Sequence, residues 1–448
     1  MIQTHPHPPE LRRSSTYSLR CDGAPVEIFQ TEEAHFALVE HVPGSSATRF
    51  EITAPGDCPP ETTVKPWRAG IACETKGNTV TFAIDRPVKV QVEIPGLPQL
   101  FVWVAAPETD RPDPEDPDVR YYVGGRYHDE GEIRLESGQT LYLEAGAVVR
   151  GYVRALSTEN IRIGGHGILD GSGYSRAAGT AEHMVQLAGC RQVTIRDLTL
   201  IHPSAWMIVP GNCEHVHIAN VKEIGEVLCS DGIDVVGSRH VLIEDCFLRN
   251  NDDCVVIKAC FKKHEGKDSP EWDFRKDVHD VVVRDCALCK AEGGNAMELG
   301  YELATDAVRA ITFESIDVLH TSGAGAVFSI HNGDRATISD VTFRDIHVEH
   351  CYSKFIDFRI VDSRYNEDED RGHVRDIRFE DIHWTTNRFN AGSTISLMSG
   401  YDAAHRIESV HFERIFIDGE AVTDIDRLEI CQRHCRDITL GETRLPEV

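Results

Sequence analysis

Asp231, Asp252 and Asp253 are the residues of this 448-residue chain whose types and spacing could do chemistry. They lie in Cys229-Ser-Asp-Gly-Ile-Asp-Val235 and Asn250-Asn-Asp-Asp-Cys-Val-Val-Ile-Lys258. Asp231 and Asp252 are 252 − 231 = 21 positions apart. In a coil of that length they stand on adjacent rungs at one angular position, separated by about 4.8 Å, the spacing of strands in a sheet. Asp253 adjoins Asp252, so three carboxylates crowd one patch. Like charges that close disfavour full ionisation, and one carboxyl then keeps its proton near neutral pH. A carboxylic acid beside a carboxylate is the equipment of glycosidic hydrolysis. The acid protonates the leaving oxygen, and the carboxylate activates water. Separations of about 6.5–9.5 Å leave room for that water and lead to inversion. Aspartate is also common at tight turns, where it bonds neighbouring amides. An Asp-Asp step directly before an apolar strand is costly unless solvated or used, and that favours chemistry over a turn role.

The elements that position these acids follow from an internal repeat. Eight octets align: those starting at Val193, Val216, Val241, Val281, Ile311, Val341, Ile377 and Val410. Each is apolar at positions one, three, six and eight, and position five is usually Asp or Asn. Period-two alternation is a strand signal, and a polar turn at positions four and five flips the phase between two short strands. The first starts differ by 216 − 193 = 23 and 241 − 216 = 25, so the basic coil is in the low twenties, with loops inserted on later coils. One coil cannot bury its apolar row alone, whereas stacked coils share a continuous core. The spacing predicts an all-β fold: a right-handed parallel β-helix preceded by a small N-terminal β-sandwich. The sandwich is placed at residues 1–106, from alternating segments such as Val88-Lys-Val-Gln-Val-Glu-Ile94. A Pro- and Asp-rich linker follows at 107–118, and the helix runs through 119–448 with a cap after Asp424. The longest insert, Phe261–Asp277, carries Lys262, Lys263, His264, Trp272 and Arg275 and could wall a groove or be a passive loop.

The formal charge of −27 repels nucleic acid and anionic membrane, so neither is an expected partner. The opening Met1-Ile-Gln-Thr-His-Pro has no apolar core of a secretory signal, and no run of 18 apolar residues occurs. The 14 cysteines are scattered without metal-site spacing. Cys286 falls in a repeat strand and reads as core filling. A cytoplasmic enzyme without metal or cofactor is the expectation, and a carbohydrate is the expected partner.

The run from Ile201 to Lys258 resembles glycoside hydrolase family 28, the polygalacturonase family. The residues carrying the likeness are His202-Pro-Ser-Ala-Trp-Met-Ile-Val-Pro210, Ser230-Asp-Gly-Ile-Asp234, Val241-Leu-Ile-Glu-Asp-Cys246 and Asp252-Asp-Cys-Val-Val-Ile-Lys258. Ile163-Gly-Gly-His-Gly-Ile-Leu-Asp-Gly-Ser-Gly173 is similar to that family's Gly-rich turn. Gln139-Thr-Leu-Tyr-Leu-Glu-Ala-Gly-Ala-Val-Val149 and Asn251-Asp-Asp253 also resemble the related family 49 of dextranases, whose mark is a β-sandwich before the β-helix. The resemblance implies an inverting hydrolase with Asp252 as general acid, Asp231 and Asp253 holding the nucleophilic water, and Lys258 beside them. Two departures bear on the substrate. Gly294-Asn-Ala296 stands where the family has Gly-His-Gly, so Asn295 replaces the histidine. Ser329-Ile-His-Asn332 stands where it has an Arg-Ile-Lys that clamps a uronate carboxylate. Without those cations a neutral or decorated sugar is as well matched as a galacturonide. Asn295, Glu298, Glu302, His331 and Lys258 are the expected substrate-binding residues, with exo action the expected mode. Glu298 could instead tune the acid, and Trp206 is expected in the core. A polysaccharide lyase and a non-catalytic carbohydrate-binding β-helix are the rival readings.

Overall fold

The structure is a computed structural model that describes residues 2–44, 46–261, 272–386 and 394–447. By compactness the chain falls into two units. The first comprises Met1–Glu130, Tyr142–Arg150 and Gly165–Asp170; the second comprises Gly131–Leu141, Gly151–Gly164 and Gly171–Val448. No α-helix occurs among the described residues.

The first unit holds two sheets, one of five antiparallel strands and one of six that includes Ala34–His41, Val88–Glu93 and Gln99–Ala105. Their inner faces share one apolar core, to which Phe50, Ile52 and Phe82 contribute from one sheet and Val90, Val92 and Val102 from the other. This is the two-layer sandwich that the alternating segments predict.

The second unit carries a right-handed parallel β-helix, in which each strand pairs in parallel with its counterpart one coil later. Position three of the octets points inward and forms an unbroken buried column: Ile195, Ile218, Ile243, Val283, Phe313, Phe343, Phe379 and Phe412. The four phenylalanines stack with ring centroids 5.3, 5.0 and 4.7 Å apart in succession. Position five is where the chain turns. Asp197, Asn220, Asp245, Asp285, Ser315, Asp345, Asp381 and Arg414 all adopt the left-handed conformation, with φ between 51° and 69°. That conformation costs an ordinary L-residue about 1–2 kcal/mol, and Asp and Asn tolerate it best because their side chains bond the local backbone. A second left-handed column precedes the octets, at Gln192, His215, His240, Asp280, Ala310, Asp340, Asp376 and Ser409. Its mixed residue types gave no signal in the repeat.

One face of the helix is built from seven strands in parallel: β1 (Ile208–Gly211), β2 (Ile233–Val236), β3 (Val255–Ala259), β4 (Met297–Leu303), β5 (Ala326–Asn332), β6 (Lys354–Ile360) and β7 (Ile395–Ser399). Register sets Asp234 opposite Val256, Val256 opposite Glu298, Glu298 opposite Ser329 and Ser329 opposite Asp357. These residues alternate with core residues such as Val255, Met297 and Phe328, so they point away from the core. Asp234, Glu298 and Asp357 are nonetheless fully buried.

All 14 cysteines are free, and Cys286 is buried as expected. From the long insert, Trp272 and Phe274 pack against Trp206, Val209 and Val236. Arg275 pairs with Asp273 at the surface. Lys262, Lys263 and His264 lie outside the described residues. After Asp424 comes a single short 3-10 turn at Ile425–Leu428, beyond which Cys435–Leu440 still pairs in parallel with the preceding coil. Removing one ring from the buried stack, with Phe343→Ala, is expected to cost about 3–5 kcal/mol through lost burial and the cavity left behind. Chemical denaturation of the variant reads that loss.

Candidate active site

The acidic trio meets at the ends of β2 and β3. One oxygen each from Asp231, Asp252 and Asp253 lies within 4.8 Å of the others. The 21-residue spacing therefore does what it predicts and puts the acids on adjoining rungs. Asp231 and Asp253 are buried, and Asp252 is half-exposed.

Each acid has its own setting. Asp252 accepts from the Cys229 amide at 2.9 Å and from the Asp253 amide at 3.1 Å. Asp253 Oδ1 accepts from the backbone N–H of Asn295 at 2.6 Å and from its side-chain Nδ2 at 3.1 Å. Asp231 Oδ2 receives the Lys258 ammonium at 3.0 Å, and Lys258 also reaches Asp234 Oδ1 at 3.1 Å. Burial pushes the Asp231 carboxyl up, against the pull of Lys258. Burial, then the charges of Glu298 and Asp231, pushes Asp253 well above the ordinary carboxylate range. Burial opposes the charge on Lys258, yet Asp231 and Asp234 outweigh it and hold the ammonium well above its ordinary value.

Glycine makes the close approach possible. Gly294 has φ +61°, and a Cβ there would lie 2.2 Å from the Asp253 nitrogen. No side chain fits between that turn and the Asp252–Asp253 peptide.

The acids open into a cavity of about 590 Å³, within the range of small-molecule sites. Lys258, Asn295, Glu302 and His331 border it, as does Asp252. Glu298 stands behind the wall with no exposure and bonds Asn295 Nδ2 at 2.9 Å. Asn295 spends both hydrogens of Nδ2, on Asp253 and on Glu298, while its Oδ1 accepts from the Ala326 amide at 2.9 Å. Its side chain is committed to holding the acids. Lys258 is likewise committed to Asp231 and Asp234, with its ammonium 3.9 Å from the Trp206 ring centroid. Trp206 is buried as expected, and one face of its ring carries that charge.

Sequence reasoning missed the far side of the cavity. Lys354 and Arg359 border it from β6, and Arg176, Tyr301 and Tyr365 complete the wall. Asp357, between Lys354 and Arg359 on β6, pairs with both at 2.5 and 2.7 Å. The expectation that this site lacks cations for an anionic sugar is therefore corrected. Ser329–Asn332 carries no Arg or Lys, but the next rung supplies one of each. The alternation in Lys354-Phe-Ile-Asp-Phe-Arg-Ile360, extended one coil beyond the quoted motifs, was the signal that could have found them.

Comparison with known proteins places this geometry. The family model for glycosyl hydrolases family 28 matches residues 123–432. A probable endo-xylogalacturonan hydrolase A of Aspergillus fumigatus is 25% identical over 222 residues, 46% of this chain and 49% of that protein. The chain thus spans about half the length of the curated relatives it matches. Among solved structures, Dex49A from Penicillium minioluteum superposes with a TM-score of 0.65 at 13% identity, covering 98% of this chain and 94% of that one. An exopolygalacturonase from Thermotoga maritima gives 0.55 at 16% identity, covering 74% and 85%. Both show the same fold.

Behind Asp231, Glu223 is fully buried and accepts from Asn250 Nδ2 at 3.1 Å, and that amide also bonds the Ser230 carbonyl at 3.2 Å. Burial pushes the Glu223 carboxyl up to about 8. Between its unfolded value of about 4.3 and about 8, the folded chain binds a proton that the unfolded chain has lost. Glu223 therefore contributes stability below that window and loses it as pH rises through it. Glu223→Gln removes the titration. The variant should melt near the wild type at pH 4 and above it at pH 8, which thermal melts at both values will read. Gly294→Ala should abolish soluble folded protein or shift the Asp252–Asp253 peptide, as circular dichroism and melting would show.

Proposed function

The chain belongs to glycosyl hydrolases family 28, and from that premise we propose that it hydrolyses glycosidic bonds of a pectic galacturonide with inversion, using Asp231, Asp252 and Asp253. The observation that carries the reading is one cavity that presents the three acids on one side and Lys354 and Arg359 on the other. Acids alone would suit any glycoside. Fixed cations a few rungs away suit a sugar that bears a carboxylate, because charge-assisted bonds to that group orient the ring. The A. fumigatus relative is named for a decorated galacturonan, and decoration of the substrate remains within the proposal.

Asp252 is the one acid of the three that is not fully buried. It gives its proton to the glycosidic oxygen as the bond from that oxygen to the anomeric carbon breaks. Water held by Asp231 and Asp253 attacks the same carbon from the opposite face and passes a proton to that pair. Asp231 Oδ1 is buried and has no hydrogen-bond partner among the described residues. Tyr301 and Tyr365, whose rings lie 5.4 Å apart, offer apolar faces on which a sugar ring can rest. Exo action belongs to the same proposal.

Reducing-end release from oligogalacturonides tests the reading. Asp252→Asn should keep the fold and lower kcat by about 10²–10⁴-fold, the usual worth of a positioned general acid. Full activity in the variant would remove Asp252 from the chemistry. Chelation should leave the wild type unchanged, because Lys258 supplies the positive charge that the acids require. A product absorbing in the ultraviolet would mean elimination instead of hydrolysis.

A further inference from the structure

We propose that His331 is a positioning residue that couples an anion-binding arm, Arg359, to the catalytic carboxylate Asp253, and that it releases the arm when its imidazole gains a second proton. The inference rests on the galacturonide reading above.

His331 is almost fully buried on β5, and both of its ring nitrogens are engaged. Nδ1 lies 3.0 and 3.1 Å from the two carboxylate oxygens of Glu298. Glu298 in turn accepts from Asn295 Nδ2, which donates its other hydrogen to Asp253 Oδ1. An unbroken chain of hydrogen bonds therefore runs from the imidazole to Asp253. Nε2 lies 2.6 Å from Arg359 Nη2 and 3.4 Å from Asp357 Oδ2.

A guanidinium only donates. The short contact from Arg359 therefore requires a bare lone pair on Nε2, which means a neutral imidazole with its hydrogen on Nδ1, facing Glu298. A second proton on Nε2 would meet the Arg359 donor head-on, and its remaining acceptor is Asp357. The imidazolium and the present seat of Arg359 exclude each other. Nη2 also donates to Asp357 Oδ2 at 3.0 Å, the oxygen to which a protonated Nε2 would turn. The imidazolium thus competes with Nη2 for both of its acceptors, while the Nε–Oδ1 ion pair at 2.7 Å keeps the side chain at the cavity it borders.

The groups facing the imidazole make this exchange accessible. From β4 come the Glu298 carboxylate and the Tyr301 ring, stacked at 4.3 Å and 4°. From β5 itself comes the Ser329 hydroxyl, 3.1 Å from Nδ1. From β6 come Asp357 and Arg359, with Lys354 held on Asp357 at 2.5 Å. Two carboxylates and an aromatic face favour the imidazolium, and two cations oppose it. Burial opposes it too, but Glu298 and Asp357 prevail and lift the imidazole above its ordinary value. Protonation then does two things. It frees an arginine for the sugar's carboxylate, and it sets a positive charge against Glu298, which eases the negative field on Asp253.

Steady-state kinetics on an oligogalacturonide, from about pH 5 to about pH 8 where histidine titrates, test the coupling. Wild-type KM should rise by about tenfold with pH, the worth of one charged hydrogen bond. In His331→Gln, with its melting temperature checked, KM should lose that dependence. In Glu298→Gln the imidazole loses its main carboxylate partner, so the midpoint of the KM rise should move to lower pH. A merely structural role for either residue would lower activity or melting temperature without moving the profile. A wild-type KM that is flat with pH, or profiles in both variants that overlay the wild type, would overturn the coupling and leave the hydrolase reading intact. Absence of turnover by the wild type on every galacturonide would overturn the substrate reading and the coupling with it.

Discussion

The buried ammonium of Lys258 is the charge on which the acidic floor of this molecule depends. It lies within 3.1 Å of both Asp231 and Asp234, against the face of Trp206, with almost no contact with water. Taking one carboxylate out of water is expensive, and taking several out side by side is worse. Removing one partner from such a buried pair typically costs about 3–5 kcal/mol, because the remaining charge is left uncompensated. Lys258 thus lets Asp231 remain beside Asp252 and Asp253 in a site that mostly excludes solvent. Trp206 and the insert residues Trp272 and Phe274 seal the apolar cluster beneath it. Packing and electrostatics there cannot be varied independently.

The same device recurs along the face. Each fully buried acid of the outward row has a base from the same or an adjacent rung: Asp234 has Lys258, Glu298 has His331, and Asp357 has Lys354 and Arg359. Parallel stacking makes this regular, because residues at equal register on neighbouring strands are about 4.8 Å apart. A groove floor of alternating charges therefore grows from one-dimensional repetition. It gives the cavity an acidic end and a cationic end without loops having to find each other across the fold.

Much of this was legible in the sequence, and the reasons differ by residue. The β-helix showed because position five needs a left-handed turn that Asp and Asn tolerate, and because position three must stack on itself. The second left-handed column stayed hidden, since Gln192, His215 and Ala310 carry no common type. The acidic trio was found because 21 residues separate Asp231 from Asp252 with no insertion between them. Arg359 and Lys354 were missed because inserts of varying length displace the later coils, so sequence distance no longer reports the rung. Burial was the other blind spot. Glu298 and Asn295 read as residues that could meet a sugar, whereas the structure commits their polar atoms to each other, to Asp253 and to His331.

The measurement that bears most directly on the central claim is the anomeric configuration of the first product, followed by proton NMR from the moment the enzyme is added to an oligogalacturonide. Asp231, Asp252 and Asp253 each place one oxygen within 4.8 Å of the others, a spacing that one bridging water can span. If Asp231 and Asp253 hold that water while Asp252 protonates the leaving oxygen, the new reducing end appears first in the inverted configuration and mutarotates afterwards. A first product with retained configuration would mean that one of these aspartates attacks the sugar itself, and would contradict the assignment of roles.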